Sequence, residues 1–398
     1  FLLIFSLCFV ALNSNNGTGR LLEGFAHQYV SSYVFEPASF GVLAVLALLL
    51  FRLREPGWAA VLIVCAAWVH PVYAIPGLLL LCGMGIARWR FGTDVAPLPV
   101  AIWLGGMVGC CGSAAFTYSQ LFPIDPASQA EALRVITTIR IPHHALPEVW
   151  IDFDAVVKLV ALAAAIAMTW RDPLGVVLLT ATIGAVAFTL WVYLTRDLSL
   201  ALAGPWRVSA IIVPAAIAVL MGRGLELAYA WCQGNAQRRR LGVAAMCVGA
   251  IASMGAASYT LVQDRLRPPP AYYAWVRTHA APKQLYLTPV EDEKFRLLTG
   301  QPQYASWKSH PHRARAVLEW YRRVGVAQHL TIAPTVTCED LGAVAREGVT
   351  HLVRSQTQPW PGCPGWRATY RDGRSAIWER VSLTAAEPTA MRNSSPSF

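Results

Sequence analysis

The chain comprises 398 residues, 55% of them hydrophobic and 14% charged, with a mean hydropathy of +0.42. That balance excludes an ordinary soluble globule and points to an α-helical polytopic membrane protein. The net charge of +10 divides unevenly: residues 264–398 hold 18 Lys+Arg against 11 Asp+Glu, or +7, and residues 1–263 hold 15 against 12, or +3. Membrane topology accounts for the arginines of the first part, so a nucleic-acid partner is set aside in favour of membrane lipid or a lipid-linked phosphate.

Apolar blocks at 1–12, 38–51, 57–70, 72–87, 97–117, 153–170, 174–194, 207–222 and 241–262 read as about nine transmembrane helices. The chain opens on Phe1 inside an apolar run with no charged leader, and the expectation is that further residues precede it. Residues 57–87 as one helix would run about 46 Å, well beyond a hydrocarbon core of about 30 Å. Pro71 and Pro76 therefore predict two short helices meeting at His70-Pro71. With that break, Arg52, Arg54, Arg88, Arg90, Arg171, Arg223 and the run Arg238, Arg239, Arg240 all fall in alternate short connections, as cytoplasmic loops should. His70-Pro71, the loops 13–37 and 118–152, the stretch Arg196 to Arg207 and everything after Asp264 are then expected outside the cytoplasm.

Arg267-Pro268-Pro269-Pro270 forms a stiff linker through which no helix can run. It divides a transmembrane domain, residues 1–263, from an extracytoplasmic α/β domain, residues 264–382. In the latter, the pattern predicts helices over Tyr272 to His279, near Glu291 to Leu298, from Arg313 to Val324 and near Glu339 to Arg346. Strands are expected at Gln284 to Thr288 and His351 to Val353, with a hairpin from Trp366 to Tyr370 and Ser375 to Arg380 turning at Asp372-Gly373. Residues 383–398 are small and polar and are expected to be disordered.

Cys8, Cys65, Cys82, Cys110, Cys111 and Cys247 lie in apolar spans and Cys232 in an inner loop; only Cys338 and Cys363 lie in the outer domain. As the pair facing an oxidising compartment, these two are expected to form a disulfide. No CxxC or Cys/His zinc spacing occurs. Asn16-Gly17-Thr18 and Asn393-Ser394-Ser395 match the glycosylation sequon and are read as chance matches.

Several loop residues could carry chemistry. Arg140, His143 and His144 offer a fixed cation and two imidazoles at the membrane surface, suited to a lipid phosphate; the bland alternative is a proline-stiffened loop touching headgroups. The His-His pair lacks a carboxylate at metal-ligand spacing. His70 either faces a central cavity or bonds the carbonyls freed at Pro71. Arg196 and Arg207 either frame an anion site or, as an Arg196 to Asp197 pair and a snorkelling Arg207, merely finish the spans. Lys308, with His310, His312 and Arg313, makes a basic cluster that meets a phosphate-bearing substrate or is solvated surface.

The order of parts resembles bacterial membrane proteins of the GT-C glycosyltransferase superfamily, uncharacterised relatives included. The resemblance rests on Phe35-Glu36-Pro37, Val69-His70-Pro71, Ile139 to His144, Pro205-Trp206-Arg207, Trp275-Val276-Arg277, Trp307-Lys308 and Glu319-Trp320-Tyr321. It implies a transferase in the bacterial cytoplasmic (inner) membrane, taking sugar from a polyprenyl-phosphate-linked donor at the outer face. Such enzymes place an acidic residue in the first outer loop, as general base or as ligand of a divalent cation. Here Glu23, Glu36, Asp125 and Asp152 are the candidates, and loop 13–37 departs from the pattern in lacking a paired acidic motif. The substrate-binding set expected beside them is His70, Arg140, His143, His144, Arg196, Arg207 and Lys308. A noncatalytic scaffold with an outer binding domain, and a transporter or flippase of a lipid-linked or anionic solute, are the competing readings; no two similar halves support the latter.

Overall fold

The computed structural model describes residues 23–30, 37–92, 100–121, 125–233, 235–238, 240–244, 247–248, 251, 255 and 268–381. The expected first span, Glu36, the greater part of the last span and the C-terminal tail lie outside these residues. The chain forms two compact units that part between Arg267 and Pro268.

The first unit is a helical bundle. Its helices are α1 (Val42–Arg52), α2 (Pro56–Val69), α3 (Ala74–Phe91), α4 (Val100–Leu121), α5 (Pro126–Arg134), α6 (Pro142–Ala145), α7 (Pro147–Trp150), α8 (Phe153–Met168), α9 (Pro173–Thr195), α10 (Leu198–Ala203) and α11 (Ser209–Cys232). Proline at the first position opens five of the described helices, α2, α5, α6, α7 and α9, where its missing N–H costs nothing. The break expected at His70-Pro71 is present: His70 is extended (φ −140°, ψ 105°) and a 3₁₀ turn, Pro71–Tyr73, leads into α3.

Four helical stretches are long and apolar enough to cross a membrane: Pro71–Phe91, Ala101–Tyr118, Pro173–Thr195 and Leu198–Cys232. The nine expected spans thus reduce, among the described residues, to four of full length. Ser39–Arg52 and Pro56–Val69 are apolar but shorter; at 1.5 Å per residue, 14 residues reach only about 21 Å. Helix α8 is interrupted in its apolar character by Asp154 and a fully buried Lys158.

Helix α3 packs most extensively against α9. The approach is close enough that a Cβ on Gly83 would lie 2.9 Å from the Val177 Cα, the small-residue contact by which apolar helices associate without a hydrophobic driving force. Polar contacts mark the two ends of the bundle. At one, Arg52 pairs with Asp172 at 2.9 Å and the Arg90 guanidinium lies 4.4 Å from the Trp170 ring centroid. The α2–α3 turn, α6, α7 and the α9–α11 connection gather at the other.

The second unit comprises α12 (Ala271–Thr278), β1 (Tyr286–Leu287), α13 (Phe295–Thr299), α14 (Ala314–Ile332), α15 (Cys338–Arg346), β2 (His351–Ser355), β3 (Trp366–Arg371) and β4 (Ser375–Arg380). Its sheet runs β1-β2-β4-β3, with β1 parallel to β2 and the other pairs antiparallel. The Asp372 carboxylate accepts from the Arg374 and Ser375 N–H groups and so closes the expected hairpin. Helix α14 overruns its expected end at Val324 because Ala327 and Leu330 continue the buried stripe of Val317, Trp320 and Val324 past Gly325. The helix expected from Glu291 starts only at Phe295. Asp292 is drawn instead to the hydroxyls of Tyr272 and Tyr273, both of which donate to its carboxylate, and burial pushes that carboxyl above the usual range.

Cys338 and Cys363 are disulfide-bonded across a Cα–Cα distance of 5.3 Å. They tie the first turn of α15 to the loop before β3. Closing a loop of 25 residues is worth about 3 kcal/mol in chain-entropy terms. The double substitution Cys338→Ser/Cys363→Ser is expected to lower the unfolding free energy of this unit by about that amount, read by chemical denaturation of the full chain with tryptophan fluorescence; an unchanged transition would show the crosslink to be thermodynamically idle.

Candidate functional site

The candidate site lies at the end of the bundle where the long loops gather, and its foundation is the short segment Glu23 to Gln28. Ala26 and His27 both sit in the left-handed region, at φ 57° and 52°. Two adjacent non-glycine residues there cost about 1–3 kcal/mol each, a strain that persists only where the surroundings over-determine the backbone. Three helical elements supply the restraint. Phe25 N–H donates to the Ser209 hydroxyl at 2.7 Å, the Lys158 ammonium donates to the Gly24 carbonyl at 3.2 Å, and His144 Nδ1 lies 2.6 Å from the Ala26 carbonyl. The segment closes on itself through Gly24 N–H to the Gln28 carbonyl, 2.6 Å. Glycine is required at position 24, because a Cβ would strike the Ala210 nitrogen and the Ser209 hydroxyl.

The apolar side is aromatic. Phe25 stacks on Trp150 at 6.0 Å, Trp150 meets Trp206 at 5.3 Å, and the Trp206 indole donates to the His144 carbonyl at 2.9 Å. Phe25 and Trp150 also form the floor of an apolar groove of about 330 Å³ between α8 and α9, walled by Val156, Leu159, Val186 and Leu190.

The polar side is cationic. Arg140 ends a π-helical turn, Val135–Arg140. Five β-branched residues in succession, Val135 to Ile139, are poor helix formers, and Thr137 and Thr138 back-bond to the Leu133 and Arg134 carbonyls at 2.7 Å, which loosens the α-helical ladder. Burial, then the charges of His27 and Arg140, hold the His143 imidazole below its ordinary pKa. His144 is lowered to about 4, chiefly by burial, with His143, Arg207 and His27 adding to the effect and the bond to Ala26 opposing it. His27, Arg140, His143, His144 and Arg207 therefore share one electrostatic neighbourhood. The turn Pro71–Tyr73 packs on Pro205–Val208, and His70 lies 6.0 Å ring to ring from Tyr73, which sets it at the border of this cluster.

Among the expected carboxylates, Asp125 and Asp152 are committed as helix N-caps, accepting from Ser128 and Ala155 N–H respectively. Asp197 likewise caps α10. Glu36 lies outside the described residues. Glu23 remains, with 12% of its side chain exposed and its Oε2 3.7 Å from His27 Nδ1. Arg196 pairs with Glu148 and its guanidinium lies 5.3 Å from the Tyr193 ring centroid, so the Arg196 to Asp197 pairing expected from the sequence is replaced by one to α7. Lys308 belongs to the second unit, 3.9 Å from Glu293 with both side chains exposed. Among the described residues no three His, Cys, Asp or Glu side chains are grouped so as to hold a metal ion.

Sequence reasoning missed Lys158, Ser209 and His27. A lysine four residues after Asp154 in an otherwise apolar helix was the available signal for the first; the 1% exposure of Lys158 and its 2.5 Å pairing with Asp154 depend on the fold.

Residues 270–326 match a family model described as a domain of unknown function, DUF6798. The match falls within the second unit, running from the proline linker into α14, and the cationic cluster lies outside it. No curated protein matches the chain.

Because His144 titrates at about 4 in the fold against about 6.5 in an unfolded chain, the unfolded state binds more protons between those values. Its contribution to stability is fully present above pH 6.5 and is lost as pH falls toward 4. The melting midpoint of the detergent-solubilised chain is expected to fall across that window. His144→Asn, which keeps a donor for the Ala26 carbonyl but does not titrate, should flatten the fall; an equally steep profile in that variant would assign the effect elsewhere.

Proposed function

We propose that this protein is an integral-membrane glycosyltransferase of the GT-C kind, using a polyprenyl-phosphate-linked sugar donor at the outer face of a bacterial cytoplasmic membrane. The observation that carries the reading is the cluster of His27, Arg140, His143, His144 and Arg207 beside Glu23. An anion would offset the positive charges that, after burial, disfavour protonation of His143 and His144, and a phosphate held by arginine gains charge-assisted bonds of fixed geometry. The apolar groove on the other side of Phe25 and Trp150 suits an isoprenoid chain, so chain and phosphate find complementary surfaces on either side of one segment. Glu23 is the candidate general base: of the expected carboxylates, it alone among the described residues is free of capping duty and adjoins the cationic cluster. It would take the proton of the acceptor hydroxyl as that oxygen attacks the sugar and the lipid phosphate departs.

Binding of a polyprenyl monophosphate to the chain in nanodiscs tests this reading. Arg140→Ala is expected to weaken it by about 2 kcal/mol, roughly thirtyfold, and Arg140→Lys to recover part, because a point charge replaces a fork. Glu23→Gln should leave binding within about twofold and abolish transfer. Wild-type protein without affinity for the probe would favour the scaffold reading.

The sidedness is tested separately, in a cysteine-free background with a membrane-impermeant thiol reagent on intact cells. Cysteines at Ser128 and at the exposed Ser309 should label and one at Gln237 should not; the neighbouring Ser306 is buried and would not report. The reverse pattern would invert the topology.

A further inference from the structure

We infer that Lys158 is a positioning residue that acts through the Gly24 carbonyl to hold Glu23 and His27 against the cationic cluster. The inference rests on the proposed role of that cluster but draws on a different observation, the burial of a lysine inside an apolar helix. Lys158 is 1% exposed, one turn below the start of α8. An ionised group there is costly unless paired and hydrogen-bonded. Asp154 supplies the pair at 2.5 Å, and the second described partner is a main-chain carbonyl 134 residues away, on the residue that follows Glu23.

An ion pair serving only the bundle would be closed within α8, since Asp154 and Lys158 are already four apart on one helix. The extra bond to Gly24 instead connects the pair to the strained segment. Ser209 holds the other side of the same peptide, through Phe25 N–H, and His144 holds the Ala26–His27 peptide, through the Ala26 carbonyl. With Glu23 and His27 flanking these three anchored residues, and with Ala26 and His27 in a conformation they would not adopt unaided, the carboxylate and imidazole stand where they do because the main chain between them is fixed. Lys158 contributes the anchor nearest to Glu23.

Lys158→Met and a companion variant separate positioning from folding. Methionine is unbranched, of similar length and apolar, but removing one member of a buried pair strands the other, here an Asp154 side chain only 26% exposed, so the companion variant Asp154→Asn/Lys158→Met, which leaves no charge behind, carries the stability comparison. The expected result for the double variant is a melting midpoint at or near that of the wild type, polyprenyl-monophosphate affinity lowered on the order of tenfold, and amide exchange at Phe25 and Gln28 accelerated at least about tenfold while α9 is unaffected. Lys158→Met alone should show the same affinity and exchange with a lower midpoint. Exchange and affinity both at wild-type level would overturn the inference, as would unfolding of both variants, which would make the pair a support of the bundle. Wild-type protein that fails to bind the probe, with exchange still accelerated in Lys158→Met, would sink the lipid-phosphate reading and leave the anchoring role standing.

Discussion

A chain segment that is neither helix nor strand can lie among apolar helices only if its peptide groups find partners inside the protein. Residues 24–28 meet that condition through Lys158, Ser209 and His144, and much else at this end of the bundle is arranged around them. Lysine in α8 needs Asp154 one turn earlier to be tolerable at all. Ser209 must be the first residue of α11, where the chain turns in after Pro205–Val208, and His144 must present Nδ1 inward, which its neutral state permits. The lowered proton affinity of His144 and the left-handed backbone of Ala26 and His27 are two consequences of one packing arrangement.

That arrangement also sorts the carboxylates. Aspartate is a strong N-cap because its short side chain reaches the orphan N–H groups of the first turn, and Asp125, Asp152, Asp172 and Asp197 all serve in that way. Glutamate is longer and caps less well. Glu23 is thus the one expected carboxylate among the described residues not engaged as a helix cap, and its neighbours are cationic.

Features set by local chemistry were legible in the sequence. Pro71 broke the 57–87 stretch, the Asp372-Gly373 turn fixed the β3–β4 hairpin, and the triple proline after Arg267 marked the border between units. Arg140, His143, His144 and Arg207 were identifiable because basic residues between apolar blocks stand out. What depended on distant partners was not legible. Lys158 vanished into the average hydropathy of 153–170, and nothing near Asp292 announces that two tyrosines twenty residues upstream will claim its carboxylate and delay the helix to Phe295. Among the described residues four of the expected spans are of full length: apolar runs such as 57–70 give shorter helices, and hydropathy records composition without saying how a short helix is covered.

The second unit obeys different rules. Its core is aromatic and conventional, with Tyr272, Tyr273, Tyr286 and Phe295 packed on Val353 and Ile377, and its surface carries ion pairs such as Arg322 with Glu319 and Glu347. The family match starts at Pro270 and covers the tyrosines, Asp292, Phe295 and the first part of α14, but not Val353 and Ile377. That signature is one contiguous stretch ending inside α14, whereas the cationic cluster is assembled from segments scattered between Glu23 and Arg207. A site of that kind leaves no contiguous signature, since each contributing stretch supplies one or two residues and the spacing between stretches is set by helices whose own sequences need only be apolar. Contiguous motifs in this chain consequently report on the second unit, and the cationic end of the bundle is visible only once the helices are packed.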